Sequence, residues 1–289
     1  MAKNLDYIAI DFETANSKPT SACSIGLVGV VNDKVVLEEY YLINPQEEFN
    51  PYNIEIHHIL PTDVEGEYTF DKVWEKIKGY FNDTTVISHN AMFDFWVLKS
   101  LIEKYNLERP NIKIACTLKI SEKVWKEGLP NHKLGTISKY LEVEHNYHNA
   151  LSDAYICTEI IKRSEIITNT SCLDEVMESL GLLYGRYNNE RFYLPKTRFR
   201  KINKDAPSNY FKGKVVSIIG KPLTLTKKKV FEILEIKGAI INNGVDRSTD
   251  AVIIFNGAKK SDLIALSKVK ESHEVKEINE EEFLKLTNE

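Results

Sequence analysis

The chain has no long hydrophobic run, little cysteine, no internal repeat and no low-complexity tract, and these scarcities remove whole classes of protein. Although 43% of its 289 residues are hydrophobic, no stretch approaches the roughly 18 to 20 consecutive apolar residues that a membrane span needs. The opening segment MAKNLDYIAIDFETANS carries acids where a secretory signal would be apolar. Neither secretion nor membrane insertion is expected. The four cysteines, Cys23, Cys116, Cys157 and Cys172, stand far apart without a CxxC pair. That argues against a disulfide framework or a structural zinc site, and for reduced thiols in a cytoplasmic protein. What remains, with 28% charged and 10% aromatic residues, is ordinary globular composition, long enough for one large domain and a small one.

The formal net charge of −4 conceals an uneven distribution. Residues 1–184 hold 17 Lys and Arg against 28 Asp and Glu; residues 185–207 hold 7 against 2; residues 208–289 hold 14 against 12. The short basic segment comprises Arg186, Arg191, Lys196, Arg198, Arg200, Lys201 and Lys204. An acidic body followed by such a segment suits a metal-dependent enzyme with a polyanion contact nearby, and suits a solvated linker equally.

The first 165 residues alternate periods. Tyr7 to Ile10 is a short apolar run ending in acids and reads as a buried strand; Ile25 to Val31 and Lys34 to Ile43 flank the turn signal Asn32-Asp33 and read as a hairpin. Phe70, Val73, Trp74, Ile77, Tyr80 and Phe81 fall at helical spacing, Thr85 to Ser88 is β-branched, and Phe93 to Tyr105 is amphipathic. Further helices fit Leu118 to Trp125, Lys133 to Leu141 and Ala150 to Arg163, the last burying Ala154, Cys157, Ile160 and Ile161. The pattern predicts an α/β sheet, half of it built from a hairpin. Periodicity weakens over residues 166–207, where one helix near Leu173 to Leu183 precedes a basic linker. Residues 208–289 resume as a compact β-α-β-β-α-β-α unit that opens on the strand VVSII.

The acids carry the chemistry. Asp11 and Glu13 sit two apart at the end of the first strand, so both carboxylates point to one face. Asp94 stands in HNAMFD at the start of a helix, where an acid also suits the helix dipole. In HNALSD, His148 falls before a helix and Asp153 about one turn inside it, beside an apolar face. A buried charge there asks for a cation. Four carboxylates that each end or edge a core element, with one histidine, supply hard oxygen ligands for Mg2+ or Mn2+. Two such ions can activate a water and stabilise a leaving oxygen, with an imidazole taking the proton, which points to phosphodiester hydrolysis.

With DFET at 11–14, HNAMFD at 89–94 and HNALSD at 148–153 in order, residues 6–165 resemble the DnaQ-like exonucleases of the DEDDh type. The resemblance implies a ribonuclease-H-like fold, a mixed sheet with flanking helices. It implies that Asp11 bridges two metal ions, Glu13 and Asp153 complete the first site, Asp94 holds the second partly through water, and His148 is the general base. The five-residue step from His148 to Asp153 marks the DEDDh branch, and Tyr147 does not occupy the slot that the sister branch gives to a tyrosine. By the same resemblance Phe12, Thr14, Asn90 and Phe93 shape the pocket for a 3′ end. His57, in the segment IHHI, lies against the terminal nucleotide, with His58 in the place of a usual glycine. LPNHKL at 129–134 resembles the family's lead into the last motif and has a structural role.

Residues 211–284 resemble a BRCT domain, on Gly220 after the first strand, Gly238 before the second, Ser248-Thr249-Asp250 before AVII, and the ending NEEEF. Ala239 stands for a second glycine, the late tryptophan is absent, and Ile219 rather than Ser or Thr precedes Gly220, which speaks against phosphopeptide binding. Lys227, Lys228 and Lys229 open a helix, either as a solvated face or toward an anion such as a DNA phosphate. The expected function is a 3′-to-5′ exonuclease in DNA repair or replication, recruited to DNA or to a repair or replication protein by the BRCT-like domain. Two alternatives are an exoribonuclease or oligonucleotidase, and a non-catalytic DNA-binding adaptor. A Gln-led clamp-binding peptide has no candidate, since Gln46 is the only glutamine.

Overall fold

The computed structural model describes residues 5–198 and 202–288; Met1 to Asn4 of the opening segment and Arg200 and Lys201 of the basic segment lie outside the described residues. The chain divides into two units, one of residues 1–189 with 194–196 and one of residues 190–193 with 197–289. No helix among the described residues is long and apolar enough to cross a membrane.

In the first unit, β1 (Tyr7–Thr14), β2 (Ala22–Val31) and β3 (Lys34–Leu42) form an antiparallel meander. Asn32 and Asp33 turn the hairpin with φ of 48° and 60°, the left-handed pair that a two-residue loop between twisted strands requires. β2 is buried along nearly its whole length, whereas β3 alternates, as an edge strand with one wet face does. Short helices α1 (Pro51–His57) and α2 (Pro61–Val64), which the periodicity does not foretell, precede α3 (Phe70–Ile77). β4 (Asn82–Ser88) and β5 (Asn111–Cys116) then add in parallel, with α4 (Ala91–Lys104) between them. Helices α5 (Thr117–Val124), α6 (Leu134–Tyr140), α7 (Ala150–Thr168) and α8 (Leu173–Ser179) follow.

Of the short strands β6 (Leu182–Leu183), β7 (Gly185–Tyr187), β8 (Phe192–Tyr193) and β9 (Lys196–Thr197), β7 lies antiparallel to β5. This corrects the reading of that stretch as linker: buried Tyr187 anchors three residues to the sheet, too few to show a period. The strands of this unit run β3-β2-β1-β4-β5-β7. The result is a mixed α/β sheet with flanking helices. One side of it is an aromatic core in which Phe70 stacks on Trp74 at 5.8 Å and Phe12 meets Phe70 at 6.2 Å. Each such ring, fully buried, contributes on the order of 2 kcal/mol.

The other side is covered by α7, and one residue of β2 sets how close it comes. Gly26 is paired with Asp11 in register, and a Cβ on it would fall 2.2 Å from the Ala150 carbonyl carbon and 2.3 Å from the Leu151 nitrogen. The first turn of α7, which carries Asp153, therefore rests backbone to backbone against the strand beside Asp11. Gly26→Ala must push α7 off the sheet. It is expected to destabilise by about 3 kcal/mol, the upper range for overpacking, and to cost activity in the protein that still folds; a denaturant midpoint equal to wild type would contradict this packing.

The second unit holds β10 (Val215–Ile219), α9 (Lys227–Ile236), β11 (Ile240–Asn242), β12 (Ala251–Ile254), α10 (Lys260–Lys270), β13 (Lys276–Asn279) and α11 (Glu280–Asn288). Its sheet is wholly parallel in the order β11-β10-β12-β13. Gly220 ends β10 at φ 80°, and Thr249 is buried against Ser217 of β10 at 3.1 Å. Asp250 accepts the Val215 N–H at 2.7 Å. In the loop after β10, the N–H groups of Leu223 and Thr224 already donate to the Glu280 carboxylate, at 2.9 and 2.8 Å.

Candidate active site

Three elements deliver acids to one end of the first sheet. β1 carries Asp11 and Glu13 on one face and sends Phe12 into the core between them. α4 starts at Asn90, which holds φ 59°, a left-handed conformation that asparagine tolerates. The Asn90 side chain makes no capping bond. Asp94, one turn in, is fully buried, and its Oδ1 accepts the Phe12 N–H at 3.0 Å. Its Oδ2 is buried without a hydrogen-bond partner. α7 is capped by Asn149, whose side chain accepts the Ser152 N–H, and presents buried Asp153 from its first turn. His148, just before that cap, is exposed at φ 58°. Glu13, His148 and Asp153 offer ligand atoms that all lie within 4.8 Å of one another.

The electrostatics of this cluster are those of like charges held close together. Burial, then the Asp94, Asp153 and Glu13 charges, push Asp11 well above the usual carboxylate range. Burial, then Asp153 and Asp94, push Glu13 up to about 8. Burial pushes Asp94 up to about 7, against the Phe12 N–H that opposes the shift. Carboxylates crowded in this way fit the hard oxygen donor set of Mg2+ or Mn2+. Glu13 and Asp94 hold protons in the folded, metal-free chain that the unfolded chain has released above the ordinary values of 4.5 and 3.8. Their contribution to stability is therefore lost as pH rises from the unfolded values through about 7 and 8. In chelator, the thermal midpoint is expected to fall between pH 5 and pH 8 by on the order of 5 °C. Mn2+ should restore most of it at pH 8; a midpoint that climbs over this window, untouched by Mn2+, would contradict the assignment.

Around the cluster opens a cleft of 1070 Å³ lined by Asp11, Phe12, Glu13, Asn90, Phe93, His148 and Asp153. Its far wall is the 130–148 stretch, with exposed Lys133 and Lys139 and the ring of Tyr147. His89 ties that wall to the sheet, its ring nitrogens meeting the His132 carbonyl at 2.7 Å and Thr117 Oγ1 at 3.0 Å. Burial holds His89 down at about 4, a neutral strut.

Of the residues read from the motifs, Asp11, Glu13, His148, Asp153, Phe12, Asn90 and Phe93 line this cleft; Asp94 is fully buried and does not line it, and its charge acts on Asp11. Thr14 and His57 do not line it. His57 is buried, meets the Thr14 carbonyl at 3.2 Å and accepts the Ile59 N–H at 3.0 Å, so the pair braces α1 against the end of β1. His58 ends α1 at φ 60°, the left-handed backbone that a glycine would supply at no steric cost. Sequence reading missed His145, whose side chain is 3% exposed and whose Nε2 bonds Asp153. Histidine at a loop position has no period, so nothing in the spacing pointed to this contact.

An acid cluster at the end of a mixed sheet, opening on a cleft with a basic wall, defines a nuclease-like enzyme. The chain belongs to the exonuclease family RNase_T, whose model matches residues 8–161. The PolC-type DNA polymerase III of Thermotoga maritima is 28% identical over 163 residues, covering 54% of this chain and 12% of that protein. That of Listeria monocytogenes serovar 1/2a is 25% identical over 182 residues, covering 61% and 12%. The chain thus spans about an eighth of the length of these polymerases. Among solved structures, exonuclease X in complex with 5′ overhanging duplex DNA is 23% identical with a TM-score of 0.49, covering 61% of this chain and 99% of that one.

Proposed function

We propose that the first unit is a DEDDh-type 3′-to-5′ exonuclease that hydrolyses DNA from its 3′ end with two Mg2+ or Mn2+ ions. The observation that carries this reading is the crowding of Asp11, Glu13, Asp94 and Asp153, from three elements, at one end of the sheet, where burial and neighbouring charges push Asp11, Glu13 and Asp94 up. Asp11, Glu13, Asp94 and Asp153 would hold the ions, Asp94 partly through water. Bound there, the ions would supply charge stabilisation to the phosphate oxygens and a more acidic water.

The chain's own residues do the rest. His148, exposed at the cleft and within reach of the Glu13 and Asp153 oxygens, takes the proton of the attacking water. Phe93, 43% exposed on the first turn of α4, offers its ring to the terminal base, and the free Asn90 amide offers hydrogen bonds to the sugar or base. Lys133 and Lys139 meet the phosphates, giving affinity without sequence preference in a domain that is otherwise acidic.

Residues 208–289 form a BRCT-like recruitment domain for DNA or for a repair or replication protein. The parallel order β11-β10-β12-β13 and the left-handed Gly220 support that reading. The Glu280 carboxylate already accepts the loop N–H groups of Leu223 and Thr224, which speaks against a phosphopeptide there. The test is incubation of end-labelled single-stranded DNA and RNA with Mg2+, Mn2+ or EDTA. Shortening of DNA from the 3′ end, absent in EDTA, is the expected result; shortening of RNA alone would favour the exoribonuclease, and no hydrolysis with either ion would favour the adaptor.

A further inference from the structure

Asp153 is held on two sides. α7 fixes its backbone, and His145 fixes its carboxylate: Nε2 of His145 bonds Oδ1, while Nδ1 meets Ser138 Oγ of α6 at 3.0 Å. An ionised carboxylate only accepts, so Nε2 is the donor. The imidazole is itself built in. Its side chain is 3% exposed, the Tyr147 ring lies 4.5 Å from it, and Tyr147 in turn fits over Gly135, where a Cβ would come within 2.4 Å of the tyrosine ring. Two anchors on α6, the tilted Tyr147 ring and a single carboxylate oxygen make an orienting device for the second oxygen of Asp153.

We propose that His145 is a positioning residue that aims Asp153 at the divalent cation and so sets metal affinity, while His148 does the proton transfer. The inference rests on reading the acid cluster as a cation site. A ligating carboxylate that is also hydrogen-bonded loses less rotational freedom when the ion arrives, and such supporting partners are worth about 10- to 100-fold in metal affinity. His145 and His148 thus divide two tasks within one short loop: one ring is buried and committed to a carboxylate, the other exposed and available to a water.

The test is calorimetric titration of the full chain with Mn2+. His145→Ala is expected to weaken binding about 10- to 100-fold. Its kcat should recover at raised Mn2+, with KM for an oligonucleotide unchanged. His145→Gln, whose amide can still donate to Asp153, should regain part of the affinity. A merely structural role would instead lower the thermal midpoint in chelator and leave the affinity of the folded protein alone. If His145→Ala does not fold, Ser138→Ala removes only the bond that orients the ring and should weaken Mn2+ binding several-fold. Wild-type affinity in the folded variant overturns this inference by itself. Absence of Mn2+ binding by the wild type overturns it together with the reading of the cluster.

Discussion

Asp11→Asn is expected to lower hydrolysis by at least about 10³-fold, the several kcal/mol of charge stabilisation that a divalent ion supplies to phosphate oxygens, and to raise the thermal midpoint of the metal-free protein. The two effects have one cause. Asp11 lies among Asp94, Asp153 and Glu13, and burial together with those charges pushes its carboxyl far up. In the absence of an ion, an amide of the same shape removes the like-charge conflict, so the chelated variant unfolds at higher temperature than the chelated wild type. In the presence of Mn2+ the order reverses, because the wild type gains from binding what the variant has lost. Initial rates on a labelled oligonucleotide and thermal melts with and without Mn2+ check both halves. A variant that is inactive and also less stable in chelator would indicate a structural Asp11 and not a cation ligand.

His148→Asn is expected to lower kcat by about 10²- to 10⁴-fold, the range that a positioned general base contributes, with Mn2+ affinity and KM largely kept. Asparagine is the informative replacement because it tolerates the left-handed backbone that His148 adopts at φ 58°. The loss then reports on the imidazole and not on the loop. Single-turnover rates at saturating Mn2+ separate this outcome from that of His145→Ala, in which the deficit lies in metal affinity. Equal rates in His148→Asn and wild type would leave the attacking water without its proton acceptor in this account.

The elements that position the site were largely legible because they are long and periodic. The hairpin around Asn32-Asp33, the amphipathic α4 and the apolar face of α7 each repeat their pattern often enough to fix type and place. The strand that carries Asp11 and Glu13 was legible as well, since alternation along a strand puts both acids on one face. What escaped is what depends on three-dimensional approach. β7 is three residues inside a basic, asparagine-rich stretch, and only the burial of Tyr187 makes it a strand. Nothing in the spacing shows that Gly26 lets the Ala150 backbone against β2, or that His145 reaches Asp153 across a loop. The placement of His57 shows the same limit: the motif predicts a residue against the nucleotide, whereas its ring is engaged with Thr14 and Ile59.

An anomalous difference map from crystals of the chain soaked in Mn2+ shows whether carboxylates from β1, α4 and α7 form one cation site. Anomalous density is expected among Asp11, Glu13 and Asp153, and its loss in crystals of Asp11→Asn. Manganese elsewhere on the molecule with this cluster empty would contradict the assignment.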